Sequence, residues 1–173
     1  MSIQPILILG NPVLRQKARK VDSFGGKDLH RLADNLRDTL QEFRSKHGFG
    51  RGIAAPQIGV SERLIFLHVD HPMPLVNPRI VRRSRKLMSL WDDCFSLPDI
   101  LAKVRRNLAI EVQYRDLEGK RHHFRAEGAL SELLQHEIDH LDGILTIDRA
   151  IDSRHIVFKD EWEKWEREEK VRL

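Results

Sequence analysis

The stretch LLQHEIDHLDGI, Leu133 to Ile144, sets two histidines around a glutamate in the order H-E-x-x-H. Leu130, Leu133, Leu134, Ile138 and Leu141 recur at three- and four-residue spacing, which predicts a helix over Ala129–Leu141 with one buried side. Gly143 follows as its stop signal. On such a helix His136 and His140 share a face and can reach one ion. Glu137 falls on the side of the leucines, where a carboxylate is disfavoured as a charge unless a cation is near. Beside a metal ion it can take a proton from water and return it later. The chain should therefore be arranged around a buried, metal-binding helix.

Two ligands are one short of the usual catalytic design. One protease pattern continues from H-E-x-x-H to a third histidine, but here that position is Thr146, which does not replace imidazole. Another pattern takes a glutamate from a later helix. Glu161 is placed for it, with Glu163 next, although both lie in a densely charged tail where carboxylates pair readily with Lys and Arg. Upstream stand Cys94, His68, His71, His122 and His123. The last two are adjacent on a predicted strand and so point to opposite faces. Cys94, in WDDCFSLPD, is by itself better read as a small buried thiol; a helix in want of a ligand changes that balance.

Around the central helix, apolar spacing predicts another helix from Asp28 to Arg44, stopped by Gly48. GFGRGIAAPQIG (48–59) reads as a Gly-rich segment. Strand-like runs cover 63–69, 75–84 and 86–91, and 108–116 with 121–127 reads as a hairpin around LEGK. A charged C-terminal helix is predicted at about 154–170, with Trp162 and Trp165 on one side. The fold class is α+β, with mostly antiparallel sheets packed around the HExxH helix in a single domain, 1–173.

The chain has 173 residues, 40% hydrophobic and 32% charged, a balance that excludes disordered and membrane classes. No apolar run approaches the roughly 20 residues of a membrane span, and the opening MSIQPILILGNP carries no leader pattern. One cysteine permits no internal disulfide, which fits the cytoplasm. The formal charge of +4 is too small to mark a DNA binder.

Three motifs in order bring out a resemblance. GRGIAAPQ (Gly50–Gln57), DDCFS (Asp92–Ser96) and QHEIDHLDG (Gln135–Gly143) resemble the peptide deformylases, whose patterns are G-x-G-[LI]-A-A-x-Q, E-G-C-L-S and Q-H-E-x-D-H-L-x-G. ILGNPVLRQKARKV and LVNPRIV also look like family sequence. The resemblance implies removal of the formyl group from the N-terminal methionine of new polypeptides. It makes Cys94, His136 and His140 the metal ligands, with solvent in the fourth place. Glu137 is then the general base and acid. The Gln57 side chain and the Phe95 backbone N–H hold the developing oxyanion. Gly52 and Ile53 offer backbone to an extended peptide, with glycine allowing its close approach, and Asp93 and Leu133 also face substrate. The implied cofactor is one divalent ion, natively ferrous iron, with zinc, nickel or cobalt as replacements. The implied partners are formyl-methionyl nascent peptides and, transiently, the ribosome, with no membrane and no direct DNA contact.

The second motif departs from the family. Asp92 replaces glutamate and is one methylene shorter, though its salt bridge can still form. Asp93 replaces glycine, where strained backbone and repulsion of acidic peptides are expected. Phe95 replaces leucine. Glu132, where relatives often carry arginine or an aliphatic residue, either lines the pocket for the methionine side chain or faces solvent, and solvent is the expectation preferred. These departures leave open a paralogous enzyme for another N-formyl compound, an inhibitor-resistant copy, or a non-catalytic ribosome-associated binder using the basic stretch Arg79–Lys86 with Arg105 and Arg106.

Overall fold

The computed structural model describes residues 3–171; residues 1–2 and 172–173 of the expected domain lie outside the described residues. In order the elements are α1 (Lys27–His47), β1 (Gly52–Ala54), β2 (Leu64–His68), β3 (Pro72–Arg83), β4 (Leu87–Asp93), β5 (Ile100–Asn107), β6 (Ala109–Arg115), β7 (Arg121–Glu127), α2 (Ala129–Leu141), β8 (Ile156–Phe158) and α3 (Lys159–Val171). One sheet has the order β1-β2-β3-β6-β7 and the other β4-β5-β8. All their pairings are antiparallel. The α+β class and the central helix are as the sequence predicts. No helix among the described residues is long and apolar enough to cross a membrane.

The centre of the larger sheet explains the layering. LIFLH in β2 is apolar on both faces because both are covered. Ile65 and Leu67 pack with Leu133, Leu134, Ile138 and Leu141 of α2. Leu64 and Phe66 pack with Leu29, Leu32, Leu36 and Leu40 of α1. Eleven of the thirteen α2 residues are buried, so its polar side chains are inside the molecule along with its leucines. Gly48 caps α1, its N–H reaching Arg44 O at 2.9 Å. After α2 the cap residue itself is Asp142. Gly143 follows at φ 73°, where a Cβ would meet Arg15 O at 2.6 Å.

Three strands escape the periodicity. β1 lies in the Gly-rich segment and is only three residues long. β5 holds Lys103, Arg105 and Arg106, which obscure its alternation. β8 pairs Ile156–Phe158 with Ile100–Ala102, so the chain end is not strand-free. The last helix consequently starts at Lys159 rather than near Arg154. Ser153–His155 is a short 3-10 turn whose Asp152 side chain accepts the Arg154 N–H. Trp162 docks α3 against Trp91 of β4, ring centroids 6.4 Å apart, while Trp165 stays exposed.

Candidate active site

The end of β4, the turn after β1 and the middle of α2 meet. Cys94 follows β4 directly; His136 and His140 come from adjacent turns of α2. Cys94 Sγ lies 3.2 Å from His140 Nε2, which lies 3.3 Å from His136 Nε2. All three residues are buried, and these ligand atoms lie within 4.8 Å of one another. Two imidazole nitrogens and a thiol sulfur aimed at one point form a soft-to-borderline donor set suited to zinc or ferrous iron. Burial and neighbouring His136 hold His140 well below the usual imidazole range, the neutral form a metal requires. The residues therefore fit a divalent ion.

Each ligand is set by a second layer. Asp92 Oδ1 faces His136 Nδ1 at 3.0 Å, which leaves Nε2 for the centre. Burial works against charge on either partner, yet their mutual attraction outweighs it: Asp92 is lowered, and His136 is raised well above its ordinary value. A metal on His136 would compete with that proton. Arg106 Nη2 donates to Asp92 Oδ2 at 3.2 Å and its Nη1 to Asp139; Arg149 Nη2 reaches Asp139 Oδ1 at 2.7 Å. Asp92 thus makes the salt bridge expected of the longer family glutamate.

Gln57 is buried. Its Oε1 accepts the Ala54 N–H at 2.9 Å, which assigns the other end of the amide as the donor. That Nε2 lies 3.2 Å from Ser96 Oγ and 3.8 Å from Cys94 Sγ. The Phe95 N–H has no partner among the described residues. Glu137 is 3% exposed, and its Oε2 has no hydrogen-bond partner among the described residues. Burial pushes its carboxyl up to about 7; His136 and Arg51 oppose the shift, while Glu132 and Asp92 add to it. A cation beside it would bring it down again.

A cavity of about 460 Å³ opens onto these groups and is also lined by Gly52, Asp93, Phe95 and Leu133. Ile53 is different: its side chain is fully buried in the α1 cluster, and only its backbone remains for a ligand. Gly52 is also required by its neighbours. A Cβ there would lie 2.6 Å from Glu137 Oε1 and 2.9 Å from Leu67, so its missing side chain makes room for the carboxylate. Asp93 is not strained either, because it ends β4 in register with Leu101, and the positive-φ non-glycine residues are Asn77 and Asp99.

Two expectations are corrected. Glu132 does not face solvent: it is 5% exposed, pairs with Arg51 Nη2 at 2.7 Å and lines the cavity. Burial and Asp92 raise its carboxyl, and Arg51 opposes them. Arg106 is not part of a basic surface; it is 4% exposed and held between Asp92 and Asp139. A period-two reading of β5 places it on the inward face with Ala102 and Val104, the signal that its charge concealed. Elsewhere, Glu161 pairs with Lys164 at 2.6 Å, His122 with Asp116 at 2.7 Å and His123 with Glu111 at 3.2 Å. Among the described residues none of these joins the converging groups.

Comparison with known proteins accords with this geometry. The family described as polypeptide deformylase matches residues 3–155. The chain is 43% identical over 154 residues to the peptide deformylase of Rhizobium meliloti (strain 1021), covering 86% of this chain and 85% of the relative. It is similar in structure to the peptide deformylase of Thermotoga maritima, with a TM-score of 0.81, 31% identity and coverage of 88% of this chain and 100% of the other. A Met-Ala-Ser-bound class I type b peptide deformylase from Acinetobacter baumannii superposes with a TM-score of 0.80 at 30% identity, covering 86% and 99% of the two chains.

Proposed function

The chain belongs to the polypeptide deformylase family, and from that premise we propose how its own residues carry the reaction. It is a metal-dependent hydrolase that removes the formyl group from the N-terminal formyl-methionine of newly made polypeptides and releases formate. Cys94, His136 and His140 would hold the ion, which we take to be ferrous iron in the native protein, with zinc, nickel or cobalt able to replace it. The bound ion would act as a Lewis acid and make water nucleophilic near neutral pH.

In this reading the substrate lies in the cavity along the open side of β1, where the Gly52 and Ile53 backbone can pair with an extended peptide. The formyl carbonyl points at Gln57 Nε2 and the Phe95 N–H. These two donors hold the negative charge that develops on oxygen as water adds to carbon. Glu137 takes the proton from the attacking water and gives it to the departing amine as the C–N bond breaks. Formate and a free N-terminus leave. Leu133 and Asp93 border the substrate, Asp93 placing negative charge at the rim.

The observation that carries this reading is the meeting of Cys94, His136 and His140 beside a buried, unpartnered Glu137 oxygen. Its test is formate release from formyl-Met-Ala-Ser by protein purified without oxygen and loaded with ferrous iron. Turnover that chelation abolishes and that Cys94→Ala lacks supports the reading; equal turnover by Cys94→Ala overturns the ligand assignment.

We also propose residues 1–173 as one domain working in the cytoplasm and touching the ribosome transiently. The five cations of Arg79–Lys86 are all exposed and suit phosphate. Absence of co-sedimentation with ribosomes at low salt would overturn that contact, and co-sedimentation unchanged by neutralising these residues would overturn their part in it.

A further inference from the structure

The substrate cavity has a charged wall beside the reacting groups. Arg51 stands immediately before Gly52 and reaches across to α2 with both ends of its guanidinium. Nη1 donates to Ala129 O at 3.3 Å and Nη2 to Glu132 Oε2 at 2.7 Å. The Glu132 side chain is 6% exposed and that of Arg51 44%. Glu132 lies one helical turn before His136, on the same face, with a carboxylate oxygen within 4.8 Å of a His136 ring nitrogen. Both members of the pair line the cavity that holds Gln57, Cys94 and Glu137. The Phe95 ring, partly buried against the α1 cluster, lines the cavity too and stacks on Phe43 with centroids 3.8 Å apart.

In the deformylase reading a substrate whose formyl group reaches Gln57 has its first side chain in this same cavity, whose lining sets the ion pair beside Leu133, Phe49 and Phe95. Only one Glu132 oxygen is occupied by Arg51. A hydrocarbon or thioether packed there removes water from the other oxygen and from the guanidinium without replacing the lost hydrogen bonds. A side chain with its own donors and acceptors replaces them. Resting on the deformylase reading of this site, we propose that the Arg51–Glu132 pair determines specificity. It removes the preference for an apolar first side chain and admits N-formyl peptides or amines whose first side chain is polar.

Glutamine and methionine have similar length and differ in this property. The test compares formyl-Gln-Ala-Ser with formyl-Met-Ala-Ser as kcat/KM for formate release by the ferrous protein. Calorimetric binding of the two deformylated products gives a readout independent of turnover. The expected parent ratio, glutamine over methionine, is one or above. In the double variant Arg51→Ile, Glu132→Ile it should fall about tenfold, the scale of one unmet buried hydrogen bond. A parent ratio below one, or a ratio the variant leaves unchanged, overturns the proposal. Should the double variant not fold, Arg51→Leu, at a half-exposed position, decides by the same ratio with a smaller expected fall. Absence of hydrolysis and binding for both peptides overturns the deformylase reading itself, and this proposal with it.

Discussion

Helices α2 and α3 each have thirteen residues, and they are held by opposite means. α2 is buried on nearly every side, and its Glu132, Gln135, His136, Glu137, Asp139 and His140 are all inside. Charged groups there are tolerable only because each meets a partner or has a use. Its first turn is clamped by Arg51, and Gln135 bonds the Asn107 backbone through both ends of its amide. In α3, Asp160, Glu161 and Lys164 face water, with Glu161 and Lys164 in a surface pair, and an aromatic contact at Trp162 joins the helix to β4. The same residue types thus have large consequences in one helix and small ones in the other.

The sharpest test of the contrast is Glu137→Gln. The amide fills the same space beside Gly52 but neither takes nor returns a proton. Turnover should fall about a hundred- to ten-thousand-fold, the usual share of general acid–base catalysis, while metal content is retained. Metal analysis with steady-state formate release checks both parts. Asp139→Ala should come next, acting on stability. It leaves buried Arg106, whose Nε already lacks a partner, with Asp92 as its only carboxylate. Removing one member of such a buried network costs about 3–5 kcal/mol, which a urea unfolding curve reads directly. Asp92→Asn keeps the shape but removes the charge that orients His136; metal affinity should drop about 10- to 100-fold, measured by competition with a chelator of known strength.

The same contrast explains what could be read from the sequence. α2 is legible because its leucines keep helical spacing and H-E-x-x-H sets two histidines one turn apart. Cys94 could be joined to that helix only through the family motifs, since nothing local in WDDCFSLPD says what lies opposite. Arg106 and Glu132 were misread because charge ordinarily marks surface, and the partners that permit their burial are distant in sequence: Asp139 for one, Arg51 for the other. The room that Gly52 makes for Glu137 is not legible from the motif, because the two residues are 85 positions apart. β1 and β8 are held by pairing to a neighbour more than by any pattern of their own.

Trp162→Ala probes the aromatic anchor of α3, which is also held at its start by the Lys159 N–H on Asp99 O. Loss of its edge-on contact with Trp91 should cost about 1 kcal/mol, seen as a lower thermal midpoint and altered tryptophan emission. The kcat/KM should be unchanged, since α3 contributes no group to the cavity. A loss of kcat/KM would mean that the position of β4, and through it Cys94, depends on this docking.

Lys164→Ala should do least. Its ammonium lies 2.6 Å from Glu161 Oε1, but both side chains are more than half exposed, at 61% and 55%. In water such a pair gains little over its solvated parts and must fix two long side chains in one geometry. Glu161 also sits in the first turn of α3, where the helix dipole favours its charge with or without the lysine. The thermal midpoint should therefore be unchanged within error at low and at high salt. A drop confined to low salt would break the comparison: α3 would then be held by its surface charges, and the Trp162 contact would be a consequence of docking rather than its cause.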